Sequence, residues 1–165
     1  MTATPIPRTL SLVLYGDVDV SLLRELPAGR KPIETIFVQK KHFLRLCAKI
    51  DQRIEEGRQA YMVCPLVEDS ENSAGLQSAE ALYLDLREGA FRHRRVGLVH
   101  GKMKSSEKNQ VMRAFADGHL DLLISTTVIE VGINVPNATV MVILDSDRFG
   151  LSQLHQLRGR VGRGE

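Results

Sequence analysis

Short apolar runs alternate with helical spacing along most of this chain. Apolar side chains at three- and four-residue intervals predict helices over 42–56, 76–86 and 105–117, with Gly57, Gly89 and Gly118 just beyond their ends. Ser105 is the expected cap of the third helix. Compact apolar runs predict strands over 33–38, 60–64, 96–99, 120–125 and 139–144. The last run is of the kind buried on both faces of a sheet, and the polar stretch 67–75 is an expected surface loop.

This alternation indicates βαβ units, that is, a parallel sheet with helices on both faces. Ligands of such sheets bind beyond the carboxyl ends of the strands. Three short segments follow predicted strands and are expected to line one rim: 100–103, 125–127 and 145–148.

The segment 153–163 carries two stripes if it is helical. Its polar face would contain Gln153, Gln156, Arg160 and Arg163, and its apolar face Leu154, Leu157 and Val161. Gly159 and Gly162 would each cost such a helix about 1 kcal/mol relative to Ala, which suggests a close approach to the backbone. Two arginines on one surface fit an oligophosphate, whereas a solvated basic helix end is the plain alternative. Spacing alone supports the two interpretations equally.

The rim segments are open to two interpretations as well. Thr126 and Thr127 could bind a phosphate at a helix N-terminus, although simple N-capping is the commoner role of such residues. The run His100, Gly101 and Lys102 could contact a nucleic-acid backbone, and a turn with a solvated lysine fits equally well.

Composition places few further limits on function. The 165 residues are 43% hydrophobic and 25% charged with a net charge of +2, so local clusters such as 92–95 and 158–163 are more informative than the total. Cys47 and Cys64 lack metal-ligand spacing and read as buried free thiols, and the five histidines are scattered, so no metal site is expected. No apolar run approaches the roughly 18 residues of a membrane span and no signal peptide is evident, which makes a cytoplasmic protein without membrane contact the default.

Several catalytic motifs are absent from the sequence. It has no GxxxxGK[ST] phosphate loop and no acidic run placed after a strand to hold Mg²⁺, so the chain is not expected to hydrolyse a nucleotide unaided. A flavodoxin-like domain would need a Gly-rich turn after the first strand, and 33–41 has none. Prolines and glycine at 27–32 indicate a linker, with a boundary near residue 30.

Several motifs resemble those of superfamily 2 helicases. The run QLRGRVGR at 156–163 resembles motif VI (QxxGRxGR), 125–136 resembles motif V, and MTATP at 1–5 resembles motif III. Within the superfamily, nearly the whole chain is similar to the RecG family of bacterial ATP-dependent DNA helicases, which remodel replication forks and Holliday junctions. The stretches that carry this similarity are TATPIPRTL, GDVDVSLLRELPAGRKPIET, YMVCPLVEDSE, VHGKMKSSEKNQVMRAFADG and RFGLSQLHQLRGRVGRGE.

The resemblance implies that residues 31–165 form the second RecA-like motor domain, of P-loop NTPase type but without the P-loop, and that 1–30 are the exit from the first. Arg160 and Arg163 would be arginine fingers directed at ATP, with Gln156, Gly132 and Asn134 near the nucleotide. Many relatives carry Asp at this position. Asn134 keeps a hydrogen-bonding carbonyl but lacks the negative charge. The phosphates of branched, single-stranded or duplex DNA would contact His100, Gly101, Lys102, Ser125, Thr126 and Thr127. Thr2 and Thr4 would couple the nucleotide state to DNA binding.

The resemblance also sets the expected cofactor and partners. ATP with Mg²⁺ would be bound mainly by the first RecA-like domain of the same protein. That domain would also be the protein partner of this chain. The sheet is expected to continue after Glu165, so an unpaired edge could let two copies dimerise. The alternatives are a motor domain of a transcription-repair coupling factor, which shares TATPIPRTL and GRVGRG, and a non-catalytic nucleic-acid-binding module.

Overall fold

A four-stranded parallel sheet forms the centre of the computed structural model, which describes residues 33–65, 74–126 and 135–161. Its strands are β1 (Gln59–Val63), β2 (Val96–Val99), β3 (Leu122–Ser125) and β4 (Ala138–Ile143), in the spatial order β2-β3-β1-β4. Leu122 of β3 aligns with Ala60 of β1 on one side and with Val96 of β2 on the other, so β1, β2 and β3 are in register. The pairing of β1 with β4 contains a shift between Gln59 and Ala60. The predicted parallel α/β sheet is confirmed.

Within the described ranges, four α-helices accompany the sheet: α1 (Phe43–Glu55), α2 (Ala74–Glu88), α3 (Ser105–Ala116) and α4 (Leu151–Arg158). Short 3₁₀ turns over Lys40–His42 and Ser146–Arg148 precede α1 and α4. The three predicted helices are confirmed, and Gly57 and Gly118 follow α1 and α3 at φ angles of +82° and +76°, where a side chain would be strained. Ser105 was expected to cap α3, but Lys104 occupies that position and its N–H donates to the Glu107 carboxylate at 3.1 Å.

Alternate residues of the strands point into two apolar cores. On one face, Ala60, Met62, Leu122 and Ile124 pack with side chains of α1 and α2, among them Cys47, Ile50, Ala79 and Leu86. On the other, Tyr61 and Leu123 pack with Met112 and Phe115 of α3 and with Val161. The rings of Tyr61 and Phe115 have centroids 4.8 Å apart and are inclined at 57°. The central strand β1 is buried along its whole length.

Two expectations about strands were wrong. The segment 33–38 forms no strand: Ile36 and Phe37 are 66% and 84% exposed, and an apolar run without a neighbouring strand has no ladder to join. The last predicted strand exists as β4 but is not buried on both faces, because it lies at the edge of the four described strands. Thr139 is exposed, and Val140, Met141 and Ile143 are half-buried.

A buried amide joins three elements at the amino end of the sheet. The Gln59 side chain is 4% exposed, and its Nε2 donates to the carbonyl of Phe115 at 2.6 Å and to that of Leu120 at 2.7 Å. The side-chain amide of Asn137 donates to Gln59 Oε1 at 3.4 Å and to the Gly57 carbonyl at 2.8 Å. These bonds connect the end of α3 and the entry to β4 with the first residue of β1.

Candidate nucleic-acid and nucleotide sites

The carboxyl ends of the strands form one rim, as predicted from the sequence. His100 follows β2, Thr126 follows β3, Cys64 follows β1 and Asp145 lies shortly after β4. Since all pairings are parallel, these residues emerge at the same end of the sheet. His100 and Thr126 are on adjacent strands, whereas Asp145 lies two strands away from Thr126.

His100 and Thr126 each have a buried polar atom that lacks a hydrogen-bond partner among the residues that the structure describes. The N–H of Thr126 donates to the Val99 carbonyl at 3.2 Å, so the sheet ladder fixes its backbone. Its side chain is 3% exposed, yet neither Thr126 Oγ1 nor His100 Nδ1 has a hydrogen-bond partner within the described ranges. Buried polar groups are normally paired, and an unpaired one costs about 1–3 kcal/mol. Two such atoms lie on neighbouring strand ends, at the rim where a phosphate contact was predicted.

The turn after His100 is exposed and tethered. Gly101 and Lys102 are exposed to solvent, and Lys108 of α3 donates from Nζ to the Gly101 carbonyl at 2.9 Å. The N–H of Met103 donates to the His100 carbonyl at 3.2 Å. The backbone of this turn is therefore fixed while the ammonium of Lys102 remains accessible, an arrangement that fits contact with a nucleic-acid backbone.

Other predicted site residues have different placements. Ser125 is fully buried and has an interaction of its own, so its side chain points into the protein. Gln156 is exposed on α4. The remaining residues predicted to bind or couple ligands lie outside the described part of the chain: Thr2, Thr4, Thr127, Gly132, Asn134 and Arg163.

The helix that was considered for 153–163 is shorter than the pattern allowed. α4 ends at Arg158, Gly159 keeps helical φ and ψ angles of −68° and −6°, and Arg160 lies in the following turn with its N–H bonded to the Leu157 carbonyl at 2.9 Å. The apolar stripe is confirmed, since Leu157 is fully buried and Val161 is 4% exposed. These two anchors fix the backbone on both sides of Arg160.

Arg160 is a partly buried arginine without a side-chain partner among the described residues. Arg94 binds Asp51 at 2.6 Å, Arg95 binds Asp121 at 2.5 Å, and Arg158 donates to the Ile33 carbonyl at 3.0 Å. Arg45, Arg92, Arg113 and Arg148 also show no side-chain partner there, but they are exposed to water. A half-buried guanidinium without a carboxylate retains its donors for an anionic ligand.

Tyr61 lies close to this guanidinium. Burial raises the pKa of Tyr61 to about 12, and the positive charge of Arg160 acts in the opposite direction. Tyr61 packs in the core on the α3 side of the sheet. Glu80 lies on α2, and its neighbour Ala79 packs in the core on the opposite side. Arg160 therefore lies on the α3 side of the sheet, while His100, which faces Glu80, is on the α2 side.

The basic cluster at 92–95 lies at the opposite end of the sheet and is largely neutralised. Arg94 is paired with Asp51 and Glu55, and Arg95 with Asp121. Hydrogen bonding to Arg94 holds the pKa of Asp51 below its usual value. The sequence could not show these pairings, since the carboxylates lie far from the arginines along the chain. The cluster is thus a set of structural ion pairs at the amino end of β2.

The sequence predicted that Asp145 lies on the rim, but it did not predict the contacts that Asp145, Cys64 and Glu80 make there. Asp145 has a positive φ of 43° and binds Lys40 at 2.6 Å, which ties the turn before α1 to the end of β4. Cys64 is buried nearby, and burial, together with the negative charge of Asp145, raises its pKa to about 11. Glu80 of α2 faces His100, with 3.9 Å between Oε1 and Nε2. No motif or spacing in the sequence marks these contacts.

Within the ranges that the structure describes, no three His, Cys, Asp or Glu side chains come together as a metal site would require. None of the helices there is long and apolar enough to cross a membrane.

Comparison with protein families gives a match over most of the chain. Residues 38–165 match the family of helicase conserved C-terminal domains. The whole chain is 56% identical to the ATP-dependent DNA helicase RecG of Bacillus subtilis and 52% identical to that of Staphylococcus epidermidis. In both cases it spans 24% of the relative's length.

Solved structures show the same similarity. The structure of RecG bound to a three-way DNA junction matches with a TM-score of 0.79 and 47% identity, over 98% of this chain and 21% of that one. The helicase domain of Pyrococcus furiosus Hef matches with a TM-score of 0.50 and 21% identity, over 72% of this chain and 23% of that one, and shows the shared fold.

Proposed function

The chain belongs to the family of helicase conserved C-terminal domains and is of the RecG type, and from this we propose that it supplies the second RecA-like motor domain of an ATP-dependent DNA helicase. The complete enzyme would unwind and remodel branched DNA in recombination and repair. On this proposal, residues 31–165 form the motor domain, and residues 1–30 lead out of the first motor domain of the same protein.

Arg160 carries the proposal. Its guanidinium is half-buried, has no carboxylate partner in the described ranges, and stands on a turn anchored by Leu157 and Val161. A rigidly mounted arginine of this kind can donate to the γ-phosphate of an ATP held by the first motor domain. Hydrolysis then depends on closure of the two domains, and closure couples it to movement along DNA.

The other predicted nucleotide contacts complete this half-site. Arg163 would act beside Arg160, and Gln156, Gly132 and Asn134 would contact the nucleotide or the facing domain. ATP with its Mg²⁺ would be bound mainly by the first motor domain of the same protein.

The DNA contacts would lie at the rim. Thr126 and His100 offer buried polar atoms that have no partner in the described part of the chain, and Lys102 offers an accessible charge. Thr127 and the backbone at Gly101 and Ser125 would extend this contact along the phosphates. Thr2 and Thr4 would link the nucleotide state to this DNA contact. The complete protein would be cytoplasmic and associated with the bacterial nucleoid.

The decisive measurement is DNA-stimulated ATPase activity of the complete helicase with Arg160 changed. Arg160→Ala should lower kcat by about 10³-fold or more, because an arginine finger contributes about that much in related hydrolases. Arg160→Lys should recover little, since an ammonium lacks the planar fork of a guanidinium.

Arg158→Ala is the matched control, because Arg158 lies two residues away and its side chain bonds a carbonyl of this chain. Its turnover should stay within about twofold of the unaltered enzyme. Near-normal turnover in Arg160→Ala, with DNA binding intact, would sink the proposal.

The chain on its own should behave as a nucleic-acid-binding module: weak, salt-sensitive DNA binding without ATP hydrolysis. Hydrolysis by the purified chain would contradict the division of the site between two domains. Dimerisation of the chain through a sheet edge stays a prediction, which light scattering at high concentration tests.

A further inference from the structure

Glu80 stands beside the proposed DNA contact. It lies on α2, its side chain is 49% exposed, and its Oε1 is 3.9 Å from Nε2 of His100, whose side chain is 16% exposed. That distance is within ion-pair range but beyond a direct hydrogen bond, so a small rotation or one bridging water completes the contact. The imidazole therefore has a carboxylate on one side.

The other ring nitrogen of His100 faces a different environment. Nδ1 is buried and has no hydrogen-bond partner among the described residues, and the same holds for Thr126 Oγ1. Val99 and Ser125 are aligned across β2 and β3, so the two residues that follow them stand side by side. Strand alternation places both side chains on the α2 side of the sheet. The imidazole thus lies between the carboxylate of Glu80 and the position where a ligand atom would meet Thr126.

Carboxylates commonly fix the orientation of a histidine ring that acts on a ligand through its second nitrogen. An imidazole protonated on both nitrogens donates from Nε2 to a carboxylate and from Nδ1 to a phosphate oxygen. The Thr126 hydroxyl can donate to the same phosphate.

We propose that Glu80 is a positioning residue for DNA: it holds His100 so that Nδ1, together with Thr126, binds a backbone phosphate. This inference rests on the proposed function, because it assumes that the rim contacts DNA. Glu80 itself does not touch the nucleic acid.

Simple electrostatics predicts the opposite effect of a substitution. A carboxylate near a phosphate repels it, so removal of the charge would tighten DNA binding on that ground alone. If Glu80 positions His100, its removal weakens binding instead. The sign of the change therefore separates the two accounts.

The test is the affinity of the complete helicase for a fluorescent branched DNA at about 0.15 M salt, with ATPase activity measured in parallel. Glu80→Ala should raise Kd roughly threefold, as expected for a half-exposed ion pair, and Glu80→Gln, which keeps an acceptor oxygen, should fall in between. The kcat at saturating DNA should be unchanged, because only the DNA contact is altered.

Glu88→Ala is the matched control. Glu88 is an exposed residue of the same helix, about 12 Å further along its axis and directed away from the rim end of the sheet. It reports the effect of losing one negative charge from α2, and its Kd should not change. Thermal unfolding of each variant verifies that the fold is intact.

Combination with His100→Ala completes the experiment. His100→Ala should weaken DNA binding, and Glu80→Ala should add no further loss in that background. Unchanged or tighter binding in Glu80→Ala, or a loss that persists without His100, overturns the positioning role and leaves the proposed function standing. If His100→Ala itself has no effect on DNA affinity, His100 is not a DNA contact and the inference fails, while the contact assigned to Lys102 is tested separately.

Discussion

Replacement of Gln59 by Leu tests how the sheet is held at the end opposite the rim. The change removes the two hydrogen bonds that Nε2 donates to the carbonyls of Phe115 and Leu120, and the longer one that Oε1 accepts from Asn137 at 3.4 Å. The Phe115 carbonyl keeps a second donor, the N–H of Gly118 at 3.1 Å, so most of the loss falls on Leu120. The Leu120 carbonyl is partly buried, and leaving such an acceptor unpaired costs about 1–3 kcal/mol. The lost Asn137 bond adds to this and the apolar contacts of leucine offset part of it, so we expect a net loss of roughly 2 kcal/mol.

Hydrogen exchange followed by mass spectrometry measures this loss locally in a multidomain protein, where a single unfolding free energy is poorly defined. Peptides that contain β1 and β3 should lose protection by roughly 30-fold, the factor that corresponds to about 2 kcal/mol. Gln52→Leu is the control, because Gln52 is exposed on α1. DNA affinity of the folded Gln59→Leu protein should be unchanged. Equal protection in the two variants would refute the role assigned to the Gln59 amide.

Two further predictions concern charge. Lys102→Ala should reduce the magnitude of the slope of log affinity for DNA against log salt by about 0.7–0.9, the value for one phosphate contact. Arg92→Ala removes an exposed charge at the other end of β2 and should leave the slope unchanged. Equal slopes for the two variants would remove Lys102 from the DNA contact. Because hydrogen bonding to Arg94 lowers the pKa of Asp51, the stabilisation from this pair is full above the unfolded value of about 3.9 and is lost as pH falls through the lower folded value. Asp51→Asn should therefore reduce the loss of thermal midpoint as the pH falls below about 4, and an unaltered pH dependence in calorimetry would contradict it.

The sequence predicted the elements whose identity depends on local pattern. The spacing of Cys47, Ile50 and Ile54 defines the buried face of α1, and the run 96–99 matches β2 residue for residue. The rim followed from the parallel topology alone. For these features, each residue's own side chain and its near neighbours carry the information.

Features that depend on distant partners were not predictable in this way. The run 33–38 has strand composition, but a strand requires a neighbour to pair with, and composition does not supply one. Gln59 looked like a residue before a strand, yet its amide is buried because α3 and the segment before β4 come close to it. Glu80 and His100 are separated by a helix end and a strand. Contacts of this kind are set by packing, so the chain has to be folded before they exist.

The position of β1 has a consequence for how the chain acquires its structure. β1 is the first of the four strands to leave the ribosome, and it pairs with β3 and β4, the last two. The residues of β1, which are buried in the folded domain, therefore have no strand to pair with while most of the domain is synthesised. Non-local pairing of this kind slows folding and leaves an apolar segment exposed in the nascent chain. The arrangement that places β1 at the centre of the finished sheet thus makes it the segment on which a chaperone has the longest opportunity to act.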